Sequence, residues 1–274
     1  MWIRKKEVLE LSKGIRRAID GENFDPRDNR EGAFSVLKND IYTLIHLEQD
    51  EKLAAVEEKE HLARYLSDIS HQLKTPITSL LLMTELMEGA TDDKKREFLL
   101  NMKREVRHME WLTAALLKMA KLDSAVIYFH RAEISLRELL KEALKSIDIM
   151  LDVRNQTVAL RGDPVLLCDR KWTAEALINL LKNASECSGE GSEIVVDGGE
   201  NPVYRFISVT DAGEGLSKKQ LSGLFRRFEN SGKENGYGIG LPLARSIMRA
   251  QNGEIEVLPG GKGTGATFVM KFYK

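Results

Sequence analysis

Apolar residues recur three and four positions apart from the start of the chain to about Met119, and then give way to short runs of other spacing. The first pattern is that of amphipathic helices, with one face buried and the other wet. Val8, Leu11, Ile15 and Ile19 place a short helix between Ile3 and Ile19, which Gly21 to Pro26 break. Phe34, Leu37, Ile41, Leu44 and Ile45 restart the period after Asp28 to Gly32. From Leu44 to about Met87 there is no glycine, and no proline before Pro76. Between Glu48 and Glu60 the charges are dense, and Leu53, Val56 and Leu62 keep a thin seam that suits a two-stranded coiled coil. Gly89 to Asp93 reads as a turn, with Thr91 or Asp92 as the next cap. Leu99, Met102, Val106, Met109, Leu112, Leu116 and Met119 then give a second long helix, ending between Lys118 and Ser124. Two such helices form a hairpin. A lone hairpin exposes half of its apolar residues, so pairing with a second copy into a four-helix bundle is expected.

Beyond the hairpin, strands alternate with helices. Helices are expected at Ser135 to Ile147, Trp172 to Glu186, Leu216 to Gly223 and Ile239 to Gln251. Strands are expected at Gln156 to Leu160, Pro164 to Cys168, Glu193 to Asp197, Tyr204 to Thr210, Glu254 to Leu258 and Ala266 to Tyr273. Strands with helices to one side make an α/β sandwich. The fold class is therefore α+β: long N-terminal helices forming a dimeric four-helix bundle, with an α/β sandwich after them. The chain divides into three regions: 1–60, helices and coiled coil; 61–124, the hairpin; 125–274, the sandwich.

The seam also places the chemistry. With Leu66 at a, Ile69 is d, Leu73 the next a, and His71 falls at f, farthest from the packed face. Ser67 and Thr75 lie one turn to either side of it and share the wet face. Pro76 cannot donate to the carbonyl of Gln72 and crowds it, so a kink is expected one turn after His71. A surface histidine and a helix kink are the plain readings of these two residues taken alone.

Four further motifs fall in the second half. Asn179 and Asn183 are four residues apart on one helix, so both amides point the same way; a carboxamide oxygen can ligate Mg²⁺. Asp211-Ala212-Gly213-Glu214-Gly215 comes directly after a strand, where a carboxylate can accept from the amine of adenine and glycines admit the base. Gly236-Tyr237-Gly238-Ile239-Gly240-Leu241 leads into a helix whose N-terminal N–H groups suit phosphates. It is not a dinucleotide-binding fingerprint, because no obvious parallel strand precedes it. Gly263-Thr264-Gly265-Ala266-Thr267-Phe268 precedes the last strand.

Composition narrows the alternatives. The chain has 274 residues, with 41 basic and 42 acidic, so no basic excess argues for nucleic acid. The two cysteines, Cys168 and Cys187, have neither zinc nor disulfide spacing and read as packing residues in a reducing compartment. No apolar run is long enough to span a bilayer. Trp2 with Arg4, Lys5 and Lys6 just after it resembles the cytoplasmic flank of a membrane helix. The expectation is a cytoplasmic portion with a membrane anchor upstream; an ordinary helix start is the alternative.

The string Ser70-His71-Gln72-Leu73-Lys74-Thr75-Pro76 resembles the phosphoacceptor box of sensor histidine kinases. In order, the later motifs resemble the asparagine box and the glycine-bearing boxes of their ATP domain, with Leu224-Phe225-Arg226-Arg227-Phe228 as the phenylalanine box. The resemblance runs from about His71 to the end. It implies the Bergerat-type ATP fold shared with gyrase-type ATPases, ninety-kilodalton heat-shock chaperones and mismatch-repair ATPases. The helix–connector–helix start is similar to a HAMP signalling module; a plain linker and coiled coil fits it equally well.

By this resemblance His71 takes the γ-phosphoryl of ATP within a homodimer and passes it to an aspartate of a response-regulator receiver domain. Asn183 holds Mg²⁺ with Asn179 beside it, Asp211 reads adenine, and Gly213 and Gly215 shape the base pocket. Gly238 and Gly240 flank the phosphates, Leu241 comes next, and Thr267 lines the adenine side. The stretch from Arg226 to Gly236, with Lys233 and then Tyr237, is expected to form a lid. Thr75 orients a water for dephosphorylating the regulator. The family often has Glu or Asp where Gln72 stands. An amide takes no proton but can hydrogen-bond a ring nitrogen, and phosphoryl transfer depends chiefly on positioning and charge, so the reaction is expected to survive. A basic or aromatic residue often stands where Glu186 and Cys187 are; Lys182 or Lys233 can replace that phosphate contact. A non-phosphorylating ATP-binding scaffold is the main rival. A gyrase-like clamp is disfavoured by the hairpin that precedes the ATP domain.

Overall fold

The computed structural model describes residues 5–19, 24–27, 32–124, 127–228, 238–261 and 263–274. The chain divides into two compact units, residues 1–78 and 79–274.

In the first unit, α1 (Lys5–Ile19) and most of α2 (Ala33–Met87) carry the early helical pattern. Between them Arg27 bonds the Asp25 carboxylate and lies over the Tyr42 ring of α2, 3.7 Å from its centroid. The Arg27 guanidinium holds the Asp25 carboxyl down at about 2. Of the expected acidic restart, Asp28 and Glu31 lie outside the described residues. α2 passes through Pro76 and continues to Met87. Proline removes one i→i−4 bond, and the helix absorbs that loss without ending.

In the second unit α3 spans Asp92–Asp123. Thr91 is its N-cap, but its hydroxyl makes no cap bond. Leu112, Ala115, Leu116 and Met119 of α3 are buried, and the helix packs on α8 (Gly240–Ala250). The C-terminal half of the expected bundle seam is thus spent on the packing against α8. Leu99 and Val106, in the N-terminal half, stay exposed.

β1 (Arg131–Ser135) pairs antiparallel with β3 (Val165–Asp169) in a small two-stranded sheet. The larger sheet has the order β2-β4-β5-β7-β6, from Thr157–Arg161, Glu193–Glu200, Tyr204–Thr210, Gly265–Tyr273 and Gly253–Gly261 respectively. Only the β2–β4 pair is parallel among these. α4 (Leu136–Lys145), α6 (Arg170–Cys187) and α8 pack side by side as the helical layer. Leu177, Leu180 and Leu181 of α6 and Ile194, Ile207 and Phe268 of the sheet are among the fully buried side chains. Cys168 is buried there too, and burial pushes its thiol up, as fits an inert packing residue.

Two elements depart from the sequence pattern. β1 reads Arg-Ala-Glu-Ile-Ser, with Ile134 its one buried residue, so it carries no alternating signal and exists through its pairing with β3. The helix expected from Ser135 to Ile147 stops at Lys145, and a separate turn of helix, α5 (Asp148–Val153), comes after it.

Asp169 holds this layer at one end. Its Oδ1 accepts from Trp172 N–H as the N-cap of α6, and its Oδ2 accepts from His130 N–H ahead of β1. Its own N–H donates to Gln251 Oε1 at the end of α8, and Gln251 Nε2 donates to Thr173 Oγ1. Asp169→Ala leaves two backbone donors without that acceptor and is expected to cost about 2–4 kcal/mol in urea unfolding. A loss under about 0.5 kcal/mol would show that water replaces the carboxylate freely.

Candidate functional site

The second unit holds a cavity of about 360 Å³ between the α6–α8 layer and the ends of β5 and β7. That is the size of a small-molecule site. Asn179, Asn183, Asp211, Gly215, Gly238, Gly240 and Leu241 all line it. Seven of the residues singled out in sequence therefore share one wall, although they come from separate segments of the chain.

Asp211 sits just past β5, only 5% exposed. Its Oδ1 accepts from Gly213 N–H at 2.9 Å and from Ala266 N–H at 3.1 Å. The Asp211 N–H in turn donates to Ala266 C=O at 3.0 Å. Both side-chain bonds fall on one oxygen. Oδ2 accepts no protein hydrogen bond among the described residues, so it is the free acceptor of this cavity-lining carboxylate. The position also needs Gly265. Its φ is +61°, and a Cβ there would overlap the Asp211 carbonyl oxygen. Gly215 has φ +79°, and a Cβ there would come 2.7 Å from Pro259 O.

On α6, Asn179 is nearly buried, and its Nδ2 donates to Glu175 C=O at 2.8 Å. That bond points its Oδ1 toward Gly240, where an added Cβ would lie 2.9 Å away. Asn183, one turn on, is half-buried on the cavity wall and makes no side-chain hydrogen bond among the described residues. Its carboxamide oxygen is available to a hard cation. No group of three or more His, Cys, Asp or Glu able to hold a metal occurs among the described residues. An ion here would take most of its ligands from phosphate and water, as Mg²⁺ does in nucleotide sites. Lys182 and Glu186 also reach the wall.

Gly213 stands behind the wall and acts through its N–H on Asp211. Thr267 is also off the wall. On β7 successive side chains alternate, so Ala266 and Phe268 face the cavity, while Thr267 Oγ1 pairs with Thr210 Oγ1 at 2.9 Å. Lys233 and Tyr237 lie outside the described residues, with the rest of 229–237. Phe228 N–H donates to Gly238 C=O at 3.0 Å, so the two ends of that stretch meet.

Some wall residues carry no motif. Trp111 of α3 and Met150 of α5 line the cavity, and so does Cys187. Ser188 lies just behind: its Oγ accepts from Ala212 N–H at 3.0 Å and ties the end of α6 to the Asp211 loop. A lone Trp beside a helical seam and a Ser after a helix give no sequence signal of such roles.

In the first unit His71 is exposed on α2, as are Ser67 and Thr75, while Gln72 is half-buried. Thr75 Oγ1 donates to His71 C=O at 3.4 Å. The imidazole stands on the wet face that the heptad assigned to it.

Known proteins share both halves. A family model described as the His Kinase A (phospho-acceptor) domain matches residues 61–125. Another, for the histidine kinase-, DNA gyrase B- and HSP90-like ATPase, matches residues 168–274. The heme sensor protein HssS of Staphylococcus saprophyticus is 25% identical over 281 residues, covering 98% of this chain and 58% of its own length. The sensor histidine kinase WalK of Bacillus subtilis is 27% identical over 278 residues, covering 97% of this chain and 44% of its own. The chain thus spans about half the length of these two relatives. The fold is shared with the Acinetobacter baumannii histidine kinase AdeS, at TM-score 0.61 and 21% identity over 74% of this chain and 97% of that one. It is also shared with histidine kinase ThkA, solved in complex with the response regulator protein TrrA. There the TM-score is 0.66 at 19% identity, over 83% of this chain and 66% of that one. The two domains, in this order, define the protein-histidine kinases. Both are matched here in that order, and together with these relatives they support a sensor histidine kinase of a two-component system.

Gly265→Ala is expected to cost about 3 kcal/mol or more and to weaken nucleotide binding, because it forces a Cβ into the Asp211 backbone. Gly263→Ala, also at positive φ but in open space, should cost about 1–2 kcal/mol. Equal losses for the two in urea unfolding would remove the special role of Gly265.

Proposed function

We propose that this chain binds ATP as its Mg²⁺ complex in the α6–α8 cavity, transfers the γ-phosphoryl group to His71, and yields it to a receiver-domain aspartate. The observation that carries the reading is the open Asp211 Oδ2 in a cavity whose wall also bears Asn179, Asn183 and the start of α8. A fixed acceptor for an exocyclic amine stands with donors for phosphate in one site, on a chain that also displays an exposed imidazole in a phosphoacceptor box.

Each residue then has a part. Asp211 selects adenine through Oδ2. Asn183 is the protein ligand of Mg²⁺, and Asn179 shapes its approach. The Mg²⁺ ion would neutralise charge on the transferring group. Gly238 and Gly240, with Leu241 behind them, let the α8 N-terminus approach the phosphates. Lys233 and Tyr237 belong to the stretch that covers them, and Lys182 is a further cation at the wall. Thr267 braces the adenine end through Thr210 instead of touching the base.

In the transfer a bare ring nitrogen of His71 attacks the γ-phosphorus, the bond to the β–γ bridging oxygen breaks, and ADP leaves. Gln72 can orient the ring but takes no proton. Thr75 belongs to the reverse, dephosphorylating reaction on the regulator.

The reading includes a homodimer. Exposed Leu81, Leu82, Leu86, Leu99 and Val106 leave an apolar face on the long helices, which a second copy would cover as a four-helix bundle. It includes regions 1–60, 61–124 and 125–274 as signalling, phosphotransfer and ATP-binding parts. It also places the chain at the inner face of a membrane, on the strength of Trp2 and the basic cluster beside it. No helix among the described residues is long and apolar enough to cross a bilayer.

Incubation with γ-labelled ATP and Mg²⁺ is expected to give an acid-labile, base-stable label that His71→Ala abolishes. ATP binding without label would instead support a non-phosphorylating scaffold. Gln72→Glu is expected to change the labelling rate by less than about tenfold, since positioning outweighs base strength in this chemistry. A rise of several orders of magnitude would show that the reaction waits on a general base.

A further inference from the structure

The wall residue least expected from sequence is Trp111. It belongs to α3, within the stretch matched by the phosphoacceptor family model, yet it lines the nucleotide cavity of the ATP domain. Its place there is secured by the rest of the helix. Leu112, Ala115, Leu116 and Met119 carry the helix on into the packing against α8, and Met119 is fully buried. Two ion pairs hold the same stretch: Lys118 Nζ lies 2.7 Å from Glu175 Oε1 of α6, and Asp123 Oδ2 lies 2.9 Å from Arg227 Nη2. Glu175 is the residue whose carbonyl accepts from Asn179, and Arg227 precedes Phe228, which bonds Gly238. The clasp on α3 therefore attaches to segments that themselves shape the cavity.

Resting on the nucleotide reading above, we propose that Trp111 packs its indole against the bound nucleotide, making α3 part of the ATP site and coupling its docking to nucleotide occupancy. An indole offers a broad face that stacks on a base or covers a ribose, and such contacts carry much of the affinity where they occur. Coupling is then a thermodynamic necessity. If the docked helix contributes to nucleotide affinity, the nucleotide stabilises docking by the same factor. The helix that turns through Gly89 to join the phosphoacceptor helix would then be held when ATP is bound and freed when it leaves. Trp111 acts here as a binding and positioning residue, with no part in the bond-making step.

The test uses the full chain, Mg²⁺ and a non-hydrolysable ATP analogue. Binding is measured by calorimetry, and α3 is followed by amide hydrogen exchange. Trp111→Ala is expected to weaken analogue binding by roughly tenfold or more, and Trp111→Phe by only about twofold. The Lys118→Ala/Asp123→Ala pair touches no cavity wall, yet should weaken binding severalfold by loosening α3. In the parent chain the analogue should slow exchange across residues 111–123. Binding by Trp111→Ala within twofold of the parent would overturn the proposal, and so would α3 exchange indifferent to the analogue. These outcomes are separable from the proposed reaction: a parent chain that binds the analogue but never labels His71 refutes the kinase reading and leaves this inference standing.

Discussion

A single carboxylate oxygen sets the geometry on which the ATP domain depends. Asp211 Oδ1 takes two backbone N–H groups, one from its own loop and one from the start of β7, while its N–H returns to the same β7 residue. A buried carboxylate is costly unless its lone pairs are engaged. Here one oxygen is engaged twice, which fixes the plane of the group and leaves the other oxygen as the site's acceptor. The arrangement works only because β5 and β7 are antiparallel neighbours in the middle of the sheet. It also works only because Gly265 has no Cβ to push the strands apart. The proposed base recognition and the strand pairing would therefore be one structure.

α6 carries that fixed point to the rest of the site. At its N-terminus Asp169 fastens it to β1 and to the end of α8 through Gln251. At its C-terminus Ser188 fastens it to Ala212, next to Asp211. Gln156 supports the same end, donating to the carbonyls of Ser185 and Gly189 and accepting from Ser185 Oγ. With both ends pinned by buried, satisfied polar groups, the turn between Asn179 and Asn183 is held rigid. Two carboxamides can then meet a ligand without first paying to order the helix.

The sequence was informative wherever a residue type had few other reasons to be present. Glycines in Asp211-Ala212-Gly213-Glu214-Gly215, two asparagines four apart, and a histidine opposite an apolar seam all point to chemistry. The structure gathers Asp211, Gly215, Asn179 and Asn183 into one cavity. Legibility failed where pairing, not pattern, made the element. β1 has one buried residue and exists because β3 is beside it. Thr267 shows the effect of a one-residue step in a strand: its neighbours face the cavity while it faces Thr210. Ser188 and Trp111 were illegible because nothing local distinguishes a serine that ties a loop, or a tryptophan that walls a pocket, from ordinary packing.

The seam of α3 makes the same point in energetic terms. A three-and-four period states which face of a helix is buried and is silent about what buries it. Leu99 to Met119 reads as one continuous stripe, and continuity suggested one partner, a bundle. In the chain the stripe is divided: its C-terminal half is buried against α8, and Leu99 and Val106 in its N-terminal half are open. A helix rigid over 32 residues cannot satisfy two partners independently. Whatever covers the open half must accept the angle that α8 imposes on the buried half. Docking of the ATP domain and assembly of the proposed bundle would then be competing or cooperating demands on one rod, and the balance between them belongs to packing, which no periodicity records.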